Sequence, residues 1–121
     1  MEIYKSLTRK VNFDGTSFQV KVRVKYRWET SERLEDCFSG IPSDLDKMYE
    51  KIAVGKGMFI TLLVESELSG MVGSDCLGTV WIDHTYTIED CIKENHMIRN
   101  ATRDLLRQME QAYNSIKAVL A

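Results

Sequence analysis

Arg99, Arg103 and Arg107 stand four residues apart, a spacing that lines up three guanidinium groups on one side of a helix. A guanidinium is a planar fork of donors that matches the oxygens of a carboxylate or a phosphate two at a time. Arg107 has Asp104 three residues before it and Glu110 three after, so its charge can be met on its own helix. Arg99 and Arg103 have no acid at those spacings and instead neighbour one another. Like charges so placed cost roughly 0.2–0.5 kcal/mol. A counter-anion from elsewhere is therefore expected: a carboxylate of the sheet or of another subunit, or the phosphate of a ligand. Two forks one helical turn apart have the reach for a diphosphate. Trp81 and Tyr86 offer flat rings near the start of the same segment, and Asp83 and Asn95 can hydrogen-bond a base or a ribose. Together with Arg99, Arg103 and Arg107 they form the candidate ligand-binding set. A subunit interface held by Glu or Asp partners is the competing use of the arginines.

Other chemistry has less to stand on. Cys76, His84, Cys91 and His96 could ligate a metal by type, but none sits in a Cys-x-x-Cys or His-x-x-x-His pair. Asp83 and His84 are neighbours in a strand and so point to opposite faces. Gly55-Lys56-Gly57 lacks the length and the Ser or Thr of a phosphate loop and reads as a helix stop. No catalytic residues, no metal and no cofactor are expected.

The arginines are carried by the stretch Thr87 to Ala121, where Cys91, Asn95, Ile98, Thr102, Leu105, Met109, Ala112, Ile116 and Val119 recur at steps of four and three. Ile88, Ile92, Leu106, Tyr113 and Leu120 widen that seam enough to cover a sheet and a partner helix. Thr87 with Asp90 reads as a capping box. Unbroken, the helix would reach roughly 50 Å at 1.5 Å per residue and overhang a domain of this size. Either it breaks near Asn95 and His96, or its free end packs on another copy.

Before it come alternating runs. Phe18, Val20, Val22, Val24, Tyr26 and Trp28 share one face of a strand, while Lys21, Arg23, Lys25 and Arg27 share the other. Asp14-Gly15 suits a two-residue hairpin loop pairing Val11 with Phe18, Leu7 with Val22 and Ile3 with Tyr26, and a four-residue loop over Asp14 to Ser17 would shift the partners by two and keep the faces. The segment around Leu34, Cys37 and Phe38 reads as a short helix or an ordered loop. Ser43 is expected to cap a helix over Asp44 to about Val54 that crosses to the next strand, Met58 to Leu68. In that strand Glu65 and Glu67 can face the basic row. Ser69 to Gly78 reads as a glycine-rich turn, and Thr79 to Tyr86 as the fourth strand.

The chain of 121 residues carries a formal net charge of −2, which gives no general attraction to nucleic acid. Its first 30 residues hold seven bases and three acids, whereas 31–70 hold four bases and eight acids. The basic strand face could track phosphates, but no aromatic interleaves with it, so nucleic-acid binding is not expected. Three widely spaced cysteines, no leader-like apolar core at the start and no apolar run of membrane-spanning length predict a cytoplasmic protein without a membrane partner.

In its order of parts, a β-hairpin, a helix, two more strands and a C-terminal helical segment bearing arginines four apart, the chain resembles the first family of phage anti-Thoeris proteins. Those are small oligomeric sponges that sequester cyclic ADP-ribose isomers made by TIR-domain defence enzymes, and some also hold cyclic oligonucleotides. The resemblance implies phosphate contacts at Arg99 with Arg103, or Arg103 with Arg107, a base-stacking ring at Trp81 or Tyr86, and a polar contact at Asn95.

The expectation is thus an α+β domain over 1–121: a hairpin (1–30), a loop and short helix (31–56), two strands (57–86) and a C-terminal helical segment (87–121). The sheet is four-stranded and antiparallel, and the assembly a homo-oligomer through the C-terminal helix. The expected function is non-enzymatic capture of a small cyclic nucleotide signal, in the host cytoplasm if the protein is viral. The alternative is a small inhibitor or adaptor acting through protein contacts.

Overall fold

Asp14 and Gly15 both adopt positive φ, 49° and 76°, the requirement of a type I′ turn, and they join β1 (Glu2–Phe13) to β2 (Thr16–Trp28). The computed structural model describes residues 1–29 and 42–120. Val11 faces Phe18 and Leu7 faces Val22, as the turn predicts. Ile3 does not face Tyr26. A shift between Ile3 and Lys5 leaves Tyr4 without a partner, so Ile3 stands opposite Lys25 and Glu2 opposite Tyr26, whose hydroxyl donates to Glu2 at 2.6 Å.

α1 (Pro42–Ala53) starts at Pro42, two residues earlier than expected, proline being well suited to a first helical turn. It ends as predicted at Gly55, φ 73°, with Gly55 N–H donating to Ile52 O and Lys56 N–H to Lys51 O. The element expected around Leu34, Cys37 and Phe38 lies outside the described residues. β3 (Gly57–Leu68) then pairs antiparallel with β2, so the sheet order is β1-β2-β3-β4 and α1 sits within the β2–β3 connection. Arg23 pairs with Glu67 at 2.7 Å and Lys25 with Glu65, which joins the basic strand to the acidic one.

The stretch Ser69 to Gly78 is not a loop. Ser69 and Gly70 alone form the turn, with φ 50° and 82°, and β4 (Met71–Asp83) begins directly after it. Glycine misleads here because two of the three residues serve the strand. Gly73 is buried under the helix, and Gly78 lies where Ile60 faces Val80 but Leu62 faces Leu77, an irregularity that lets Leu77 and Val80 both reach the core. His84, Thr85 and Tyr86, assigned to the strand from sequence, belong to the link that follows it.

The capping box at Thr87 is present: Asp90 N–H donates to Thr87 Oγ1 at 3.2 Å and Thr87 N–H to Asp90 Oδ2 at 3.0 Å. The C-terminal segment breaks at Asn95 and His96 into α2 (Ile88–Glu94) and α3 (Met97–Leu120). Asn95 closes α2 with its side-chain amide on Cys91 O, and His96 takes φ 51°. The break resets the helical phase. Met97, Ala101, Thr102 and Leu105 become the buried positions of α3, whereas Asn95 turns outward. These helices cover the face of the sheet formed by Val20, Val22, Val24, Ile60, Leu62 and Val64, each with no solvent exposure. No helix among the described residues is long and apolar enough to cross a membrane.

Candidate ligand-binding site

The arginine row lies on the outer side of α3, opposite Ala101 and Leu105, which pack on the sheet. Arg107 reaches Asp104 at 3.4 Å. Among the described residues neither Arg99 nor Arg103 forms an ion pair.

Each of the two borders a hollow. Arg103 and Arg107 line one of about 350 Å³ with Ser74, Asp75, Asn100 and Asp104. Its acids are already engaged: Asp104 accepts from Ser74 N–H at 3.0 Å and Asp75 from Asn100 Nδ2 at 3.0 Å. Gln108 Nε2 donates to Val72 O at 2.7 Å, so α3 side chains satisfy backbone groups along the open edge of β4. Arg99 lines a second hollow of about 270 Å³ with Ile92, Lys93, His96 and Ile98. This one has basic side chains and an apolar floor, and no acid lines it. An anion there would meet cations on the α2 end and on α3 without a competing carboxylate.

Trp81, Asp83 and Tyr86 are gathered elsewhere, at the end of β4. Trp81 Nε1 donates to Asp83 Oδ2 at 2.8 Å, while Asp83 Oδ1 accepts from Thr85 N–H, Thr85 Oγ1 and Tyr86 N–H at 2.8, 2.6 and 3.0 Å. The Thr85 hydroxyl first, then the Trp81 indole, hold the Asp83 carboxyl well below the usual carboxylate range. Trp81 also packs edge-on against Phe59, with ring centroids 5.0 Å apart. Tyr86 donates its hydroxyl to Glu94, which pushes its own ionisation upward. Trp81 and Asp83 hold the strand end to the link before α2, Tyr86 carries the connection on to Glu94 of α2, and Asn95 caps α2. None of these four lines either hollow beside the arginines.

Asn100 follows from its helical spacing to Arg103, whereas Ser74, Asp75 and Lys93 were missed as neighbours of the arginines. A signal existed for one side: Asn100, Asp104 and Gln108 repeat every four residues and mark the edge of α3 that meets β4. Among the described residues no three His, Cys, Asp or Glu side chains are grouped to hold a metal ion, and Cys91 is buried, its thiol pushed up by desolvation. Comparison of the chain with protein-family models, with curated proteins and with solved structures found no match.

Proposed function

We propose that the protein captures a small phosphorylated cyclic nucleotide, of the cyclic ADP-ribose type, and withholds it from bacterial immune signalling without transforming it. The observation that carries this reading is the pair Arg99 and Arg103: two guanidinium groups on successive turns of α3, unpaired among the described residues, each opening on a hollow. Phosphate oxygens suit the hollow of Lys93, His96 and Arg99. Ribose hydroxyls or a base amine suit the neighbouring hollow, where Asp75 keeps Oδ1 beside the oxygen that accepts from Asn100 and Asn100 offers its side-chain carbonyl. Binding alone is proposed because, among the described residues, the Ser74 hydroxyl is hydrogen-bonded to neither Asp75 nor Asp104, the carboxylates that share its hollow.

Assembly through α3 belongs to the same reading. The helix is about 36 Å long at 1.5 Å per residue, and Ile116, Val119 and Leu120 near its end are 61, 85 and 81 % exposed. A second copy would cover them, and the host cytoplasm is where such a sponge acts. The same apolar end favours one other reading, an inhibitor or adaptor that grips a different protein.

Calorimetry against cyclic ADP-ribose isomers tests the proposal. Saturable heat is expected, with Arg103→Ala weakening binding by about 1.5–3 kcal/mol, the worth of a hydrogen bond to a charged group. Mass spectrometry of the denatured complex should return the nucleotide chemically intact. A converted product would make the protein an enzyme, and no heat with any isomer or with cyclic di- and trinucleotides would remove the sponge reading.

A further inference from the structure

Sharing no residue with the arginine hollows, an open pocket of about 650 Å³ lies at the end of the sheet, and its lining includes Trp28, Ile52, Lys56, Met58, Ile82 and His84. That volume lies within the range of small-molecule sites, which are mostly apolar with a few polar groups at the rim. Trp28 is the telling residue. Along β2 the positions Val20, Val22 and Val24 on its face are fully buried, yet Trp28 remains 54 % exposed. An indole left open beside Met58, Ile52 and Ile82 presents a flat apolar surface that nothing among the described residues covers.

The charges at the mouth select the ligand. Asp83 also lines the cavity, but Trp81, Thr85 and Tyr86 occupy both of its oxygens. Lys56 and His84, in contrast, have no ion pair among the described residues. Lys56 is fixed there by the helix stop, since its N–H donates to Lys51 O at 2.9 Å and thereby sets the path of the chain across the opening. Among the described lining residues, the unpaired side chains at the rim are the Lys56 ammonium and the His84 imidazole, both able to donate to an anion, while the one acid is engaged internally.

We infer that this pocket is a second binding site, separate from the arginine hollows, for an aromatic anion of up to three rings, a ring face against Trp28 and Met58 and its charge toward Lys56 and His84. The occupant is a small carboxylate or sulfonate, a size that a pocket of about 650 Å³ accommodates.

The test is fluorescence titration of the whole chain with 8-anilinonaphthalene-1-sulfonate, with its uncharged parent N-phenyl-1-naphthylamine as comparator. One dye per chain is expected. Lys56→Glu, a change at an exposed position, should weaken it by at least about five-fold, and Ile52→Trp, which fills the cavity, should abolish it. The uncharged dye should bind more weakly to the wild type and be indifferent to Lys56→Glu. Arg103→Ala should leave dye binding unchanged, so this site stands or falls apart from the nucleotide proposal. Dye binding that survives both Lys56→Glu and Ile52→Trp, or that disappears in an Ile116→Glu/Val119→Glu variant, would place the dye elsewhere and overturn the inference. Equal affinity for the uncharged dye would overturn the preference for an anion.

Discussion

Gly73 of β4 lies directly beneath Leu105 of α3: a Cβ on Gly73 would stand 2.7 Å from Leu105 Cα and closer still to Leu105 N and Ala101 O. Backbone atoms on a packed helix cannot yield as a flexible side-chain tip would. Gly73→Ala should therefore lift α3 and cost at least about 2–3 kcal/mol by overpacking. Gly78 has open space where its Cβ would be, so Gly78→Ala should change stability by no more than about 0.5 kcal/mol. Urea unfolding of the two variants checks the contrast, and equal midpoints would refute it.

Asp83 ties the end of β4 to the link that leads into α2, which gives stability a pH dependence. Its folded carboxyl is held below the ordinary value by Thr85, Trp81 and Tyr86. A group depressed in the folded state stabilises fully above its unfolded value, near 4, and loses that contribution as pH falls below it. Asp83→Asn should lower the melting temperature at pH 7, and the gap to wild type should shrink steadily as the pH is lowered from 4 to 2. A gap that stays constant over that range would mean that the hydrogen bonds, and not the charge, do the stabilising.

His96 couples the break between the helices to the basic hollow. With φ 51° it occupies a backbone region that disfavours a Cβ by about 1–2 kcal/mol, partly offset for glycine by the extra freedom of its unfolded chain. His96→Gly should leave the fold as stable as wild type or more stable by up to about 1 kcal/mol, and His96→Val should be less stable than wild type. Both should weaken nucleotide capture. Affinity that tracks stability across the two variants would show that His96 acts only through the fold.

The free end of α3 makes a claim about assembly. Ile116→Glu with Val119→Glu should convert an oligomer to a monomer in analytical ultracentrifugation, while the stability of the monomer shifts by less than about 0.5 kcal/mol because neither side chain packs on the sheet. A wild type that sediments as a monomer at every concentration would remove assembly through α3.

What was legible in the sequence is what depends on near neighbours. Asp14-Gly15 fixes its hairpin through backbone angles, Thr87 and Asp90 cap each other three residues apart, and the pairing of Arg23 and Lys25 with Glu67 and Glu65 follows from alternation on adjacent strands. β4 was hidden because Gly70, Gly73 and Gly78 look alike in a sequence but do three different things: one turns, one admits the helix, one sits at an irregularity. The arginines were visible through their spacing, yet their hollows are made by Ser74, Asp75 and Lys93, which reach them only through tertiary contact. Trp81, Asp83 and Tyr86 fell near the start of the helical segment as expected, but local hydrogen bonding turned them toward one another and away from the arginines.

Asn95 and His96 make the spacing between α2 and α3 a rotational setting. One residue inserted or deleted there would turn everything after it by about 100° about the helix axis. Met97 and Ala101 would swing off the sheet, and the arginine row would be carried round with them, toward one strand edge or the other. Natural variation in this chain should therefore tolerate changes of residue type along the outer side of α3 far better than any change of length in the two-residue link before it.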